Sequence, residues 1–125
     1  MKYVILIPTY NDWDCLNLLI PKIDQVISKT EYEVSILLVN DGSTKKNNLF
    51  FKNNLSIKRV EILNLQNNVK AQIAIASGLS HLKKEKFDGG VIVMDADGQD
   101  DPENLIPIFQ ESIKKPKTTI TVNRN

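Results

Sequence analysis

Val91-Ile92-Val93-Met94-Asp95-Ala96-Asp97-Gly98-Gln99-Asp100-Asp101-Pro102-Glu103 runs four apolar residues into a cluster of carboxylates and then into a helix start. A short, unbroken apolar run of this kind reads as a strand buried on both faces, as in a parallel sheet. The carboxyl end of such a strand is where open α/β sheets hold their ligands. Asp95 and Asp97 are two residues apart, and extended geometry would point both side chains to one side. Two carboxylates held that close are unfavourable unless one takes a proton or a cation lies between them. Oxygen ligands with no His or Cys nearby suit Mg²⁺ or Mn²⁺, ions that commonly bridge carboxylates to phosphates. Asp100 and Asp101 read as turn and cap residues, with Pro102 at the first helical position.

Outward from this stretch, strands and helices alternate. Residues 3–7 form a β-branched apolar run that Pro8 is expected to stop. Asn11 or Asp12 can cap a helix whose apolar face is Leu16, Leu19, Ile20, Ile23 and Ile27, with a kink expected at Pro21. Residues 33–39 read as a second strand, residues 44–53 as a weak polar helix and residues 57–65 as a more exposed third strand. Ala71, Ala74, Ile75, Gly78, Leu79 and Leu82 share one helical face, where Gly78 suggests close approach to the sheet. A further helix carries Leu105, Ile106, Phe109 and Ile113, with a bend expected at Pro107, and residues 118–122 give a fifth strand. This order calls for a Rossmann-like α/β fold: a mainly parallel sheet with helices on both faces, in one domain over residues 1–125. In such a sheet three polar clusters fall on one edge: Pro8-Thr9-Tyr10-Asn11-Asp12, Asn40-Asp41-Gly42-Ser43 and Asp95-Ala96-Asp97-Gly98-Gln99.

Bulk properties narrow the function. A formal net charge of +1 leaves no basic excess for nucleic acid, so no nucleic-acid partner is expected. No apolar run approaches the ~18 residues of a membrane span, and the first apolar segment is too short for a signal peptide. The single Cys15 cannot close an internal disulfide and fits a reducing compartment, so a cytoplasmic chain is expected. Neither G-x-G-x-x-G nor the P-loop pattern occurs. The only histidine, His81, reads as an ordinary surface residue on the polar side of its helix. Trp13 reads as helix packing, whereas Tyr10 is as suited to stacking on a base.

The three clusters resemble successive motifs of the family 2 glycosyltransferases, most closely the polyprenyl-phosphate (dolichol-phosphate mannose synthase-like) branch. Asn68-Val69-Lys70-Ala71-Gln72-Ile73-Ala74-Ile75-Ala76-Ser77-Gly78-Leu79 is similar to that branch as well, so the likeness spans nearly the whole chain. The resemblance implies a GT-A nucleotide-diphospho-sugar fold, a divalent metal (Mg²⁺ or Mn²⁺) and inverting transfer from a nucleotide-diphosphate sugar donor to a lipid-phosphate or glycan acceptor. It implies that Pro8, Tyr10, Asp12, Val39 and Asp41 line the nucleoside pocket and that Asp95 and Ala96 contact ribose and diphosphate. It implies that Asp97 and Gln99, with Asp95, hold the metal, and that Arg124 lies near the phosphates. Asp12 and Asn40 stand where the family usually has Glu and Asp, and Lys70 replaces a usual glycine. The family's acceptor-side residues have no counterpart here, so a donor-binding half is expected, at the cytoplasmic face of a membrane in a longer protein. A truncated, non-catalytic nucleotide-sugar-binding module is the alternative. The open edge at the fifth strand invites homo-oligomers. Val91-to-Asp97 also resembles the start of haloacid dehalogenase phosphatases, although there that motif opens the fold.

Overall fold

Five strands form one sheet in the order β3-β2-β1-β4-β5, and every adjacent pair is parallel. They are β1 (Lys2–Thr9), β2 (Glu33–Asn40), β3 (Val60–Asn64), β4 (Gly90–Val93) and β5 (Thr119–Thr121). The helices are α1 (Trp13–Ile27), α2 (Ala71–Lys84) and α3 (Leu105–Lys114), the last preceded by a single 3₁₀ turn at Pro102–Asn104. This is a computed structural model, and it describes residues 2–50, 56–97, 101–114 and 119–121. It is the expected GT-A, Rossmann-like arrangement.

Alternation along the central strands builds two cores. Tyr3, Ile5 and Ile7 face α1 and α3 together with Leu16, Ile20, Ile23, Leu105 and Phe109. Val4 and Leu6 face the opposite way, onto Ala74 and Leu82 of α2. Gly78 lets α2 approach closely on that side: a Cβ there would lie 2.7 Å from Leu6 Cδ1 and 2.9 Å from Val39 Cγ2. The buried Tyr3 hydroxyl donates to the Phe109 carbonyl at 3.1 Å and fixes α3 against β1.

Several local expectations need correction. Pro8 does not end β1, which continues to Thr9 in register with β2. Leu6 O accepts from Met94 N on the β4 side, so Pro8 turns its missing donor to that same side, beyond Val93 where β4 has ended. Pro21 leaves α1 as one element, with the proline on the exposed side. Asp12 occupies the N-cap position of α1 without a side-chain cap; its Oδ2 accepts from Tyr10 N at 2.9 Å instead. Asp101 does cap its turn, accepting from Glu103 N at 3.0 Å. Pro107 sits in the first turn of α3, where its missing N–H costs no intrahelical bond.

Of the polar helix expected over residues 44–53, residues 44–50 are not helical, and 51–53 lie outside the described residues. Residues 44–50 run along α1, and asparagines satisfy the backbone that a helix would otherwise satisfy. Asn11 Oδ1 accepts from Lys45 N, Asn17 Oδ1 accepts from Phe50 N, and Asn17 Nδ2 donates to Asn48 O. Trp13, buried in α1, donates from its indole to Lys45 O. Its packing role stands.

Candidate functional site

Strand order reverses between β2-β1 and β4, so the turns after β1 and β4 diverge and leave a crevice at the carboxyl ends of the strands. The crevice measures about 590 Å³ and is lined by Pro8, Thr9, Tyr10, Asp12, Asp41, Asn68, Lys70, Ala71, Asp95, Ala96 and Asp97. The structure thus brings together Pro8, Tyr10, Asp12, Asp41, Asp95, Ala96 and Asp97 from all three polar clusters. It does not bring Val39, whose side chain is buried under α2. Gln99 and Arg124 lie outside the described residues.

The walls are tied to one another by side-chain hydrogen bonds. Asn11, at φ 56°, donates from its backbone N–H to Ser43 Oγ at 2.9 Å and from its amide to Thr44 Oγ1 at 3.0 Å. Asn40 donates to Asn64 Oδ1 at 2.9 Å, a bond that a carboxylate at this position could not give, and its Oδ1 accepts from Ser43 N at 3.1 Å. Asp41 is buried, and its Oδ1 accepts from Val69 N at 2.7 Å while its carbonyl accepts from Asn68 Nδ2 at 3.1 Å. Its first task is to hold the segment that leads into α2.

The acidic pair differs from the strand-based expectation. β4 ends at Val93, and Ala96 and Asp97 form a turn, so strict alternation does not govern Asp95 and Asp97. Both still line the crevice, Asp95 half-buried and Asp97 exposed. Among the described residues, no three His, Cys, Asp or Glu ligand atoms converge in the crevice. Two carboxylates suit an ion that draws its remaining oxygens from phosphate and water, as Mg²⁺ does.

Asn68 and Lys70 were not among the expected lining residues. They follow β3, and the rule that gathered the other three clusters applies equally to the turn after that strand. Lys70 has φ 74° and ψ 159°, a region nearly reserved for glycine, at the position where the family likeness has glycine. Its side chain is the one basic group among the crevice-lining residues described, and the N-terminus of α2 opens beside it. Lys70→Gly is expected to raise stability by about 1 kcal/mol, because relieved strain outweighs the added chain entropy. The same change should weaken any diphosphate ligand. Urea unfolding and a nucleoside-diphosphate titration of the same sample check both halves.

A model of glycosyl transferase family 2 matches residues 4–125. The chain is 28% identical over 112 residues to the uncharacterized glycosyltransferase YkcC of Bacillus subtilis, covering 89% of this chain and 33% of that protein. It is 33% identical over 100 residues to the uncharacterized glycosyltransferase sll0501 of Synechocystis, covering 79% of this chain and 30% of that one. The chain therefore spans about a third of the length of the curated relatives it matches. The match takes in β1, β2 and β4 with the turns that wall the crevice, and it leaves the phosphatase likeness of residues 91–97 without support. With sheet order, crevice and family model in agreement over nearly every residue, the chain belongs to glycosyl transferase family 2.

Proposed function

We propose that this chain is the donor-binding domain of an inverting, metal-assisted glycosyltransferase that passes a sugar from a nucleotide-diphosphate donor to a polyprenyl phosphate. The observation that carries this reading is the crevice at the switch point, where Tyr10, Lys70 and the carboxylates of Asp12, Asp95 and Asp97 face one space of about 590 Å³. That volume suits a ligand the size of a nucleotide sugar. Tyr10 is 44% exposed and offers its ring face to a base. Asp12 and Asp95 can accept from ribose hydroxyls, and Lys70 with the α2 N-terminus can hold the diphosphate. Asp41 positions Asn68 and Lys70 rather than reacting itself.

Asp95 and Asp97, with Gln99, are the residues proposed to hold Mg²⁺ or Mn²⁺, which when bound supplies Lewis-acid stabilisation to a departing diphosphate. Arg124 is proposed to add positive charge at the same place. In the transfer, an acceptor oxygen forms a bond to the anomeric carbon from the face opposite the leaving group, and the bond from that carbon to the diphosphate oxygen breaks. A phosphate oxygen is already ionised near neutral pH, so a lipid-phosphate acceptor needs no strong base from the protein. No helix among the described residues is long and apolar enough to cross a membrane. We propose that the chain works at the cytoplasmic face of a membrane, where a lipid phosphate would be presented.

A second reading is a nucleotide-sugar-binding module without transfer activity, because donor and metal alone account for the groups that line the crevice. Incubation with UDP- and GDP-sugars, Mn²⁺ and a short polyprenyl phosphate separates the two. Release of nucleoside diphosphate that requires the lipid, with inverted anomeric configuration by NMR, supports transfer. Donor binding without release supports the module, and no binding in a folded sample removes both.

A further inference from the structure

His81 is the single histidine of the chain and reads in the sequence as an ordinary surface residue. In the structure it is part of a side-chain cluster. Its Nε2 lies 3.2 Å from Glu61 Oε1 on β3 and 2.5 Å from Glu85 Oε1, one turn further along the chain. The three ligand atoms lie within 4.8 Å of one another. The side chains of His81 and Glu61 are only 28% and 32% exposed, while Glu85 is exposed. The outer oxygens of both carboxylates turn to Arg59, at 3.5 Å from Glu61 Oε2 and 4.0 Å from Glu85 Oε2.

Two carboxylate oxygens and an imidazole nitrogen lie this close when the Nε2–H of the ring donates to them, and the same arrangement offers three lone pairs to a metal ion once that proton is displaced. One imidazole with two carboxylates is a donor set for zinc and its neighbours, in contrast to the all-oxygen crevice. Arg59 acts as the outer partner that orients both carboxylates while their inner oxygens stay on the nitrogen. Glu61 and Glu85 also border a hollow of about 330 Å³, which leaves both carboxylates open to solvent.

We propose that Glu61, His81 and Glu85 form a divalent transition-metal site of the zinc class that clips edge strand β3 to the end of α2. Tetrahedral zinc ligands lie ~3.3 Å apart when each is about 2.0–2.1 Å from the metal. The Glu61–His81 pair already has this spacing. Glu85 has to draw back by less than about 1 Å, which its 41%-exposed side chain permits. Water completes the coordination. Glu61 is the second residue of β3, whereas the crevice lies beyond the other end of that strand, so the two sites occupy opposite edges of the sheet.

The test uses the untagged, ¹⁵N-labelled chain, in which one histidine gives one set of imidazole signals. Zn²⁺ is expected to shift those signals with one ion per chain and to raise the melting temperature. Co²⁺ is expected to broaden them and to show visible d–d absorption. Glu61→Gln and Glu85→Gln should each weaken Zn²⁺ binding at least ~10-fold, and Asp97→Asn in the crevice should leave it unchanged. Imidazole signals that millimolar Zn²⁺ does not move would overturn the proposal. So would Gln variants that bind as tightly as the parent, which would mean a lone imidazole ligand. The readout is His81, so the outcome is independent of what the crevice binds.

Discussion

Gly42→Val is expected to cost the fold about 3 kcal/mol or more and to remove donor binding with it. Gly42 has φ 69°, which a β-branched residue rarely adopts. A Cβ there would also lie 2.5 Å from Asn68 N and 2.6 Å from Asn67 C, which are backbone atoms that cannot rotate away. The segment cannot retreat cheaply, since Val69 N and Asn68 Nδ2 are both bonded to Asp41. It carries Asn68 and Lys70 into the crevice, so displacement should be felt there directly. Thermal melting should fall by on the order of 10 °C, and a donor titration should show no binding. Parent-like melting and binding would mean that the turn after β2 is not tied to the entrance of α2.

Asp97→Asn is expected to spare stability while doing similar damage to function. Asp97 is exposed in a turn, so melting should stay within ~0.5 kcal/mol of the parent. Donor affinity in Mn²⁺ should drop at least ~10-fold, because one of two crevice carboxylates proposed to hold the ion is lost. Without metal, parent and variant should bind equally weakly. An equal loss with and without Mn²⁺ would place Asp97 on the donor rather than on the metal.

The strand–helix alternation was legible because its signals are strong and local. The apolar runs of β1, β2 and β4 are short, β-branched and bounded by turn residues, which reads as buried strand, and the Ala74-Gly78-Leu82 stripe has the spacing of a helix face pressed on a sheet. The three polar clusters could be assigned to one edge because parallel strands leave no other arrangement. What was misread depends on side chains bonding to distant backbone. Residues 44–50 look weakly helical by composition, yet Asn11 and Asn17, 33 or 34 residues away, take their N–H groups. Pro8 looked like a strand end because its tolerance depends on where β4 stops. The cluster at His81 is not legible in the sequence because Glu61 lies 20 residues off on another element, and an i+4 carboxylate such as Glu85 is common on an exposed helix face. Lys70 was legible as a departure from a usual glycine, whereas its place on the crevice wall required the fold.

The central claim is that the crevice between β1 and β4 binds a nucleotide-diphosphate sugar through a divalent metal. Isothermal titration of the folded chain with UDP-sugars and GDP-sugars in Mn²⁺, repeated after chelation, tests it most directly. One donor class should bind with one molecule per chain, and the heat should vanish when the metal is removed. A folded chain that takes up neither donor at millimolar concentration, with Mn²⁺ present, would contradict it.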